Sequence, residues 1–188
     1  NEDKLWIDEQ GNAQQSGTPW APVGYWCFNT PKNLPSKFKL NTIPCYAIST
    51  EKIDAGELVD FGKETFGFIK IHGLKGKGNV ALYYGESREE ALDTEMCETL
   101  DYINFDGLQH QTYTHSASKA FRYVLVKTDA AIQYDYISML YEYLPLEHRG
   151  VFKSSDDLLN KIWEVSAYTM HLTTREFFID GIKRDRWI

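Results

Sequence analysis

The sequence predicts a mainly β chain: an antiparallel β-sandwich, then a linker, then one amphipathic helix. Three observations carry this. From about residue 41 to 148, short β-branched and aromatic runs recur with period 2 between glycine-rich and polar turns. No strand–helix–strand alternation of the doubly wound kind interrupts them. After Pro145 the period lengthens, and residues 154–178 carry the i, i+3, i+4 spacing of a helix. The expected organisation is an irregular N-terminal segment bordering or joining the sandwich (1–40), the sandwich itself (41–148), and the start of a helical domain (149–188).

Residues 1–40 are rich in Gly, Pro, Asn and Ser, and one short strand is expected at 24–28. The run IPCYAIS (43–49) is a strand that Pro44 restricts to a sheet edge, since proline cannot donate to the ladder. ELVDFG and the aromatic TFGFIKIHGL read as strands, KGKGN as a hairpin turn, and VALYYGES as the next strand. REEALDTEMC is an excursion with at most one helical turn, CETLDYINF a strand, and Asp106–Gly107 a turn. QTYTHSAS is polar. In AFRYVLVKT, alternation puts Phe121, Tyr123 and Leu125 on one face and Arg122, Val124 and Val126 on the other. In AAIQYDYISMLYEYLPL it separates Ile132, Tyr134 and Tyr136 from Gln133, Asp135 and Ile137. In the helix, Ser154 or Ser155 is the expected cap, with Asp157 completing a capping box. Leu158, Leu159, Ile162, Trp163, Ser166, Thr169 and Met170 form its stripe, which needs a partner face on the sandwich or on further helices.

Composition narrows the function. A net charge of −7 argues against nucleic acid and against an anionic membrane surface. No apolar run is long enough to span a bilayer. The first ten residues do not read as a signal peptide, and the expected setting is nevertheless periplasmic or secreted. Cys27, Cys45 and Cys97 lack zinc-site spacing, and buried free thiols are favoured over a Cys27–Cys45 bridge. His110 and His115 lie in a polar stretch that reads as a solvated loop. No metal or cofactor is expected. Glu86, Glu89 and Glu90 read as a charged turn, and Lys75 and Lys77 lack the G-K-[ST] ending of a phosphate loop.

The densest charge lies in FFIDGIKRDRWI. As structure, this is a helix C-terminus with Gly181 left-handed and basic residues against the dipole. As a site, Asp180 and Asp185 with Arg184 between them suit a sugar: carboxylates accept from hydroxyls, and a guanidinium donates in a fixed fork. A carboxyl beside another carboxylate can hold its proton for general acid catalysis, while a neighbouring arginine pulls the other way.

The run FKSSDDLLNKIWEVSAYTMHLTTREFFIDGIKRDRWI resembles the entry to the catalytic domain of bacterial α-L-rhamnosidases, and LVDFGKETFGFIKIHGLKGKGNVALYYGES is similar to the sandwich segment that precedes it. The resemblance covers residues 40–188, and D-x-x-x-R-D-R is its specific part. It implies a jelly-roll-like sandwich leading into the first helix of an (α/α)6 barrel, incomplete here, in an inverting glycoside hydrolase that removes terminal α-L-rhamnose. It maps Asp180 and Arg184 onto sugar contacts and Asp185 onto the candidate general acid. Many members have Glu at or next to that place, so a sugar-contact role for Asp185 stays open. The general base would lie outside this chain, and inversion needs two carboxyls roughly 6.5–9.5 Å apart. The implied partners are an L-rhamnoside and the rest of the catalytic domain. Two other readings stand beside it: a carbohydrate-binding module using Trp6, Trp20, Tyr25 and Trp26, and a purely structural sandwich that buttresses helices through Leu158, Ile162 and Trp163.

Overall fold

The computed structural model describes residues 5–7, 13–15, 40–107, 111–175, 178–179 and 181. Strands β1 (Leu5–Ile7) and β2 (Ala13–Gln15) form an antiparallel pair. The main sheet is built from β3 (Asn41–Tyr46), β4 (Ser49–Ile53), β5 (Gly56–Leu74), β6 (Lys77–Gly85), β7 (Thr99–Asp106), β8 (Gln111–Thr114), β9 (Lys119–Thr128) and β10 (Tyr136–Tyr143). Helix α1 (Arg88–Leu92) interrupts the strands, and α2 (Asp157–Thr173) follows them. The strand order is β3-β10-β5-β9-β6-β7, with β4 and β8 also on β5, and every pairing is antiparallel. No helix among the described residues is long and apolar enough to cross a membrane.

The two expected strands at 57–62 and 65–74 are one strand of 19 residues, bent in the middle. Its pairing with β9 jumps from Asp60↔Tyr123 to Thr65↔Phe121, so residues 61–64 bulge opposite a single residue. The bend folds the sheet back on itself. Val59 and Phe61 before it, Ile69 and Ile71 after it, Val80, Leu82 and Tyr84 of β6, and Ile137 and Met139 of β10 then share one core. That core is the filling of an antiparallel β-sandwich. The same bulge breaks the alternation expected in β9: Phe121 joins Val124 and Val126 in the core, while Leu125 turns to the opposite face. There Leu58, Tyr83, Ala91, Cys97 and Leu125 form a smaller cluster under α1, which Ser87 caps by accepting from the Glu90 amide at 3.2 Å.

An ion pair holds the bend. Asp60 receives the Arg122 Nε at 2.9 Å and Nη2 at 3.0 Å, and its Oδ1 also accepts from the Gly62 amide at 2.7 Å. Gly62 has φ +87, and a Cβ there would come within 3.2 Å of Ile48. The Arg122 hydrogen bonds hold the Asp60 carboxyl below its usual range, against the opposing pull of burial. A depressed folded-state pKa contributes stability above the unfolded value of about 3.9, and that contribution disappears as pH falls through the folded value. We expect Asp60→Asn to cost about 1–2 kcal/mol at pH 7, after allowance for the half-exposed arginine. In urea titrations the difference from wild type should shrink below about pH 4; a constant gap would show that the charge is irrelevant.

Three other local expectations shift. KGKGN is not a hairpin turn, because β5 and β6 both pair with β9 rather than with each other. The segment crosses between the layers at Gly76 (φ +95), where a Cβ would lie 1.9 Å from the Ala131 carbonyl. β10 starts only at Tyr136, because residues 129–135 form a turn tied by Lys75 and Gln133, and Ile132 and Ile137 share the core despite opposite parity. β8 forms from the polar QTYT run, paired to β5. β3 is an edge strand, as Pro44 requires. Cys45 and Cys97 are free thiols; Cys27 and the expected strand at 24–28 lie outside the described residues.

Candidate functional site

Helix α2 begins two residues later than a cap at Ser154 would place it. Asp156 is its cap and accepts from the Leu158 amide at 2.8 Å. Ser154 instead locks the approach: it exchanges two hydrogen bonds with the Asn160 side chain, at 2.7 and 2.9 Å, and accepts from the Asp156 amide at 3.1 Å. The charged side chain at Asp156 suits the helix N-terminus better than a serine hydroxyl does.

The helix touches the sandwich along a narrow line near its end. Tyr168 donates to the Glu64 carbonyl on the β5 bend, Lys63 Nζ lies 4.1 Å from the Tyr168 ring centre, and Leu172 is buried. The expected apolar stripe does not face the sandwich. Leu158 is 67% exposed, Ile162 52% and Met170 56%, with Leu159, Trp163 and Val165 also exposed.

Between α2, the linker and β10 lies a cleft of about 840 Å³, lined by Lys63, Tyr141, His148, Trp163, Tyr168 and His171 among others. Tyr141 and Tyr143 stack at 5.2 Å, and His171 sits 5.6 Å from His148 across the linker. Burial, then the neighbouring His148 and Lys63, push His171 below the usual histidine range, so it is neutral near pH 7. Burial pushes the Tyr141 hydroxyl up to about 12. No described group of His, Cys, Asp and Glu could hold a metal ion.

Beyond Thr173 the chain makes a closed hook. Thr174 donates its amide to the Met170 carbonyl at 3.0 Å, Ile179 donates to the Thr173 carbonyl at 3.0 Å, and Thr174 bridges to Phe178. Arg175 in this hook reaches back to the sandwich: it pairs with the Glu142 carboxylate, donates to the Glu142 carbonyl at 3.3 Å, and stacks 4.1 Å over the Phe66 ring. Ile179 directly precedes Asp180. Asp180, Arg184 and Asp185 themselves lie outside the described residues, as do Trp20, Tyr25, Trp26, His110 and the Trp6 side chain. Sequence reasoning missed Arg175, Glu142, Phe66 and Tyr168. The available signal was weak: a basic residue just past a helix C-terminus.

Solved structures share this architecture. A rhamnosidase from Klebsiella oxytoca with rhamnose bound aligns with a TM-score of 0.68 at 18% identity, covering 80% of this chain and 39% of that one. A GH78 family rhamnosidase of Bacillus sp. GL1 aligns with 0.59 at 20% identity, covering 93% and 18%. An α-L-rhamnosidase from Dictyoglomus thermophilum aligns with 0.61 at 16% identity, covering 79% and 18%. At these identities the likeness establishes the fold, and the chain spans well under half the length of each of these structures. No curated protein matches. A family model described as alpha-rhamnosidase-like, bacteroidetes, N-terminal, matches residues 1–126. With 126 of its 188 residues so matched, the chain belongs to the alpha-rhamnosidase-like N-terminal family of bacteroidetes.

Proposed function

We propose that this chain is the sandwich and helical entry of an inverting α-L-rhamnosidase, a glycoside hydrolase acting on terminal rhamnose of glycosides or polysaccharides. Residues 149–188 open an (α/α)6 catalytic domain in this reading. Asp180 and Arg184 grip the sugar, Asp185 is the candidate general acid, and the general base comes from outside the chain. The observation that carries the reading is the family sandwich followed by a docked helix, with the D-x-x-x-R-D-R run beginning seven residues after the helix end at Thr173. The exposed stripe of α2 supports it too, because an amphipathic helix with Leu158, Ile162 and Met170 in water calls for further helices. It also disfavours the purely structural reading, in which those side chains press on the sandwich.

The isolated chain is expected to release no 4-nitrophenol from 4-nitrophenyl α-L-rhamnoside, while the full-length enzyme releases it readily. An inactive full-length enzyme would overturn the proposal, and an active isolated chain would overturn the placing of the base. A binding role keeps one observation in its favour. Tyr46 is 64% exposed and lies 6.4 Å from Tyr136, which stacks on His72 at 4.2 Å, an aromatic platform on the sheet. Calorimetric binding of rhamnose oligosaccharides by a full-length enzyme without hydrolysis would favour that reading.

A further inference from the structure

We propose that Tyr46 and Tyr136 form a stacking subsite on the outer face of the sandwich for a neutral 6-deoxy sugar ring, an L-rhamnopyranosyl unit of a glycan chain. The inference draws its ligand from the rhamnosidase reading and adds a sugar contact built only from sandwich residues.

Strand register puts the parts together. Ser138 pairs with Tyr46 on one side and Lys70 on the other, and Tyr136 pairs with His72, so these side chains share one face of the sheet. Ile69, Ile71, Ile137 and Met139, of opposite parity, fill the core. On the outer face Tyr46 is 64% exposed and Tyr136 46%, their ring centres 6.4 Å apart. The platform is rigid. His72 stacks flat on Tyr136 at 4.2 Å, and its Nε2 hydrogen-bonds the buried Ser138 hydroxyl at 2.7 Å. Burial, then the Lys70 charge, holds His72 below the usual histidine range against the pull of Asp135, so the stack is uncharged near pH 7. Hydrogen-bonding groups flank it. The Asp135 amide donates to the His72 carbonyl at 2.8 Å, and its carboxylate lies so close over Gly73 (φ +65) that a Cβ there would clash with it.

Two rings fixed side by side in water call for a covering group, and their size selects it. Together they expose roughly 170–270 Å², taking each tyrosine at about 150–250 Å². A stable protein interface takes about 800 Å² from each partner. The patch matches a sugar ring instead. The C–H face and methyl group of a 6-deoxy pyranose lie on the phenol rings, and its hydroxyls donate to the Asp135 carboxylate and accept from Lys70. A net charge of −7 disfavours an anionic glycan.

The test is affinity electrophoresis of the full-length enzyme in gels containing a neutral α-L-rhamnan, which gives a Kd for the polymer. Tyr46→Ala is expected to raise that Kd about tenfold, and Tyr46→Ala/Tyr136→Ala to raise it further. Tyr46→Phe keeps the ring and should stay within about twofold of wild type. A purely structural role would lower the melting temperature and leave Kd untouched, and an unchanged Kd in folded Tyr46→Ala overturns the proposal. If the double variant does not fold, the exposed single site decides alone. A Tyr46→Phe variant as weak as Tyr46→Ala overturns stacking as the cause, and a dimer that Tyr46→Ala dissociates in sedimentation would make the patch a protein interface instead. Release of 4-nitrophenol from 4-nitrophenyl α-L-rhamnoside, measured alongside on wild type, separates the two failures. An active enzyme with an unchanged Kd in the variants sinks the subsite alone; an inactive enzyme whose rhamnan binding still depends on Tyr46 sinks the hydrolase reading and leaves the subsite standing.

Discussion

In the full-length enzyme, Asp185→Asn is expected to lower kcat on an alkyl rhamnoside by about 10²–10⁴-fold, and on 4-nitrophenyl rhamnoside by far less. The asymmetry follows from the chemistry. An alkoxide is too basic to depart without a proton, whereas nitrophenolate departs nearly unaided. Asparagine keeps the size and hydrogen-bonding shape of the side chain and removes only the transferable proton. The attack of water on the opposite face depends on another carboxylate and is untouched. The pH profile supplies the second readout: the limb that reports loss of the acid's proton at high pH should vanish in the variant. In the proposed site an Arg184 next to the acid would favour its ionised form, so a raised pKa would have to come from burial or from the second carboxylate, Asp180. The rival assignment predicts otherwise. As a sugar contact, Asp185 would be missed equally by both substrates, with KM rising and the leaving-group dependence preserved. Equal losses on the two substrates would move the acid role to another residue.

The order of elements was legible because strands and helix differ in period, and the edge position of β3 because proline lacks a donor. The errors cluster where tertiary pairing overrides local alternation. Parity along β9 separates Phe121 from Val124, yet both are core residues, because the bulge opposite Arg122 resets the face. Ile132 and Ile137 share the core for a related reason: the turn between them ends the alternation. Strand β8 carries no hydrophobic signal, and it forms because the edge of β5 offers it hydrogen bonds. The cap falls on Asp156 instead of the expected Ser154 or Ser155, because the charged side chain faces the helix dipole. In the site, the spacing of Asp180, Arg184 and Asp185 is a property of the sequence alone. The Arg175–Glu142 contact spans 33 residues and has no spacing rule to announce it.

The largest stability effect is expected inside the sandwich. Asp101 of β7 lies 3.1 Å from Lys119 Nζ and 3.5 Å from His115 Nε2, and the Asp101 and Lys119 side chains are only 15% and 14% exposed. The Tyr84 ring packs beside them, its hydroxyl pushed well above the usual tyrosine range by burial first and by the Asp101 charge second. Asp101→Ala removes the counter-charge and leaves the Lys119 ammonium in a nearly water-free place. That should destabilise the chain by about 3–5 kcal/mol, because an unpaired buried charge keeps its full desolvation cost. Lys119→Met is milder, since His115 remains to face the carboxylate. The double variant Asp101→Leu/Lys119→Met replaces the pair with apolar volume and is expected to recover most of the loss, as apolar replacements of buried pairs commonly do. Urea denaturation of Asp101→Leu, Lys119→Met and the double variant gives the coupling directly. A double variant as unstable as Asp101→Ala would mean that the pair is structurally irreplaceable at this end of the core. Asp101→Ala within 1 kcal/mol of wild type, against the expected ~3–5 kcal/mol, would mean that water reaches Lys119 and that the cluster is a solvated edge instead of part of the interior.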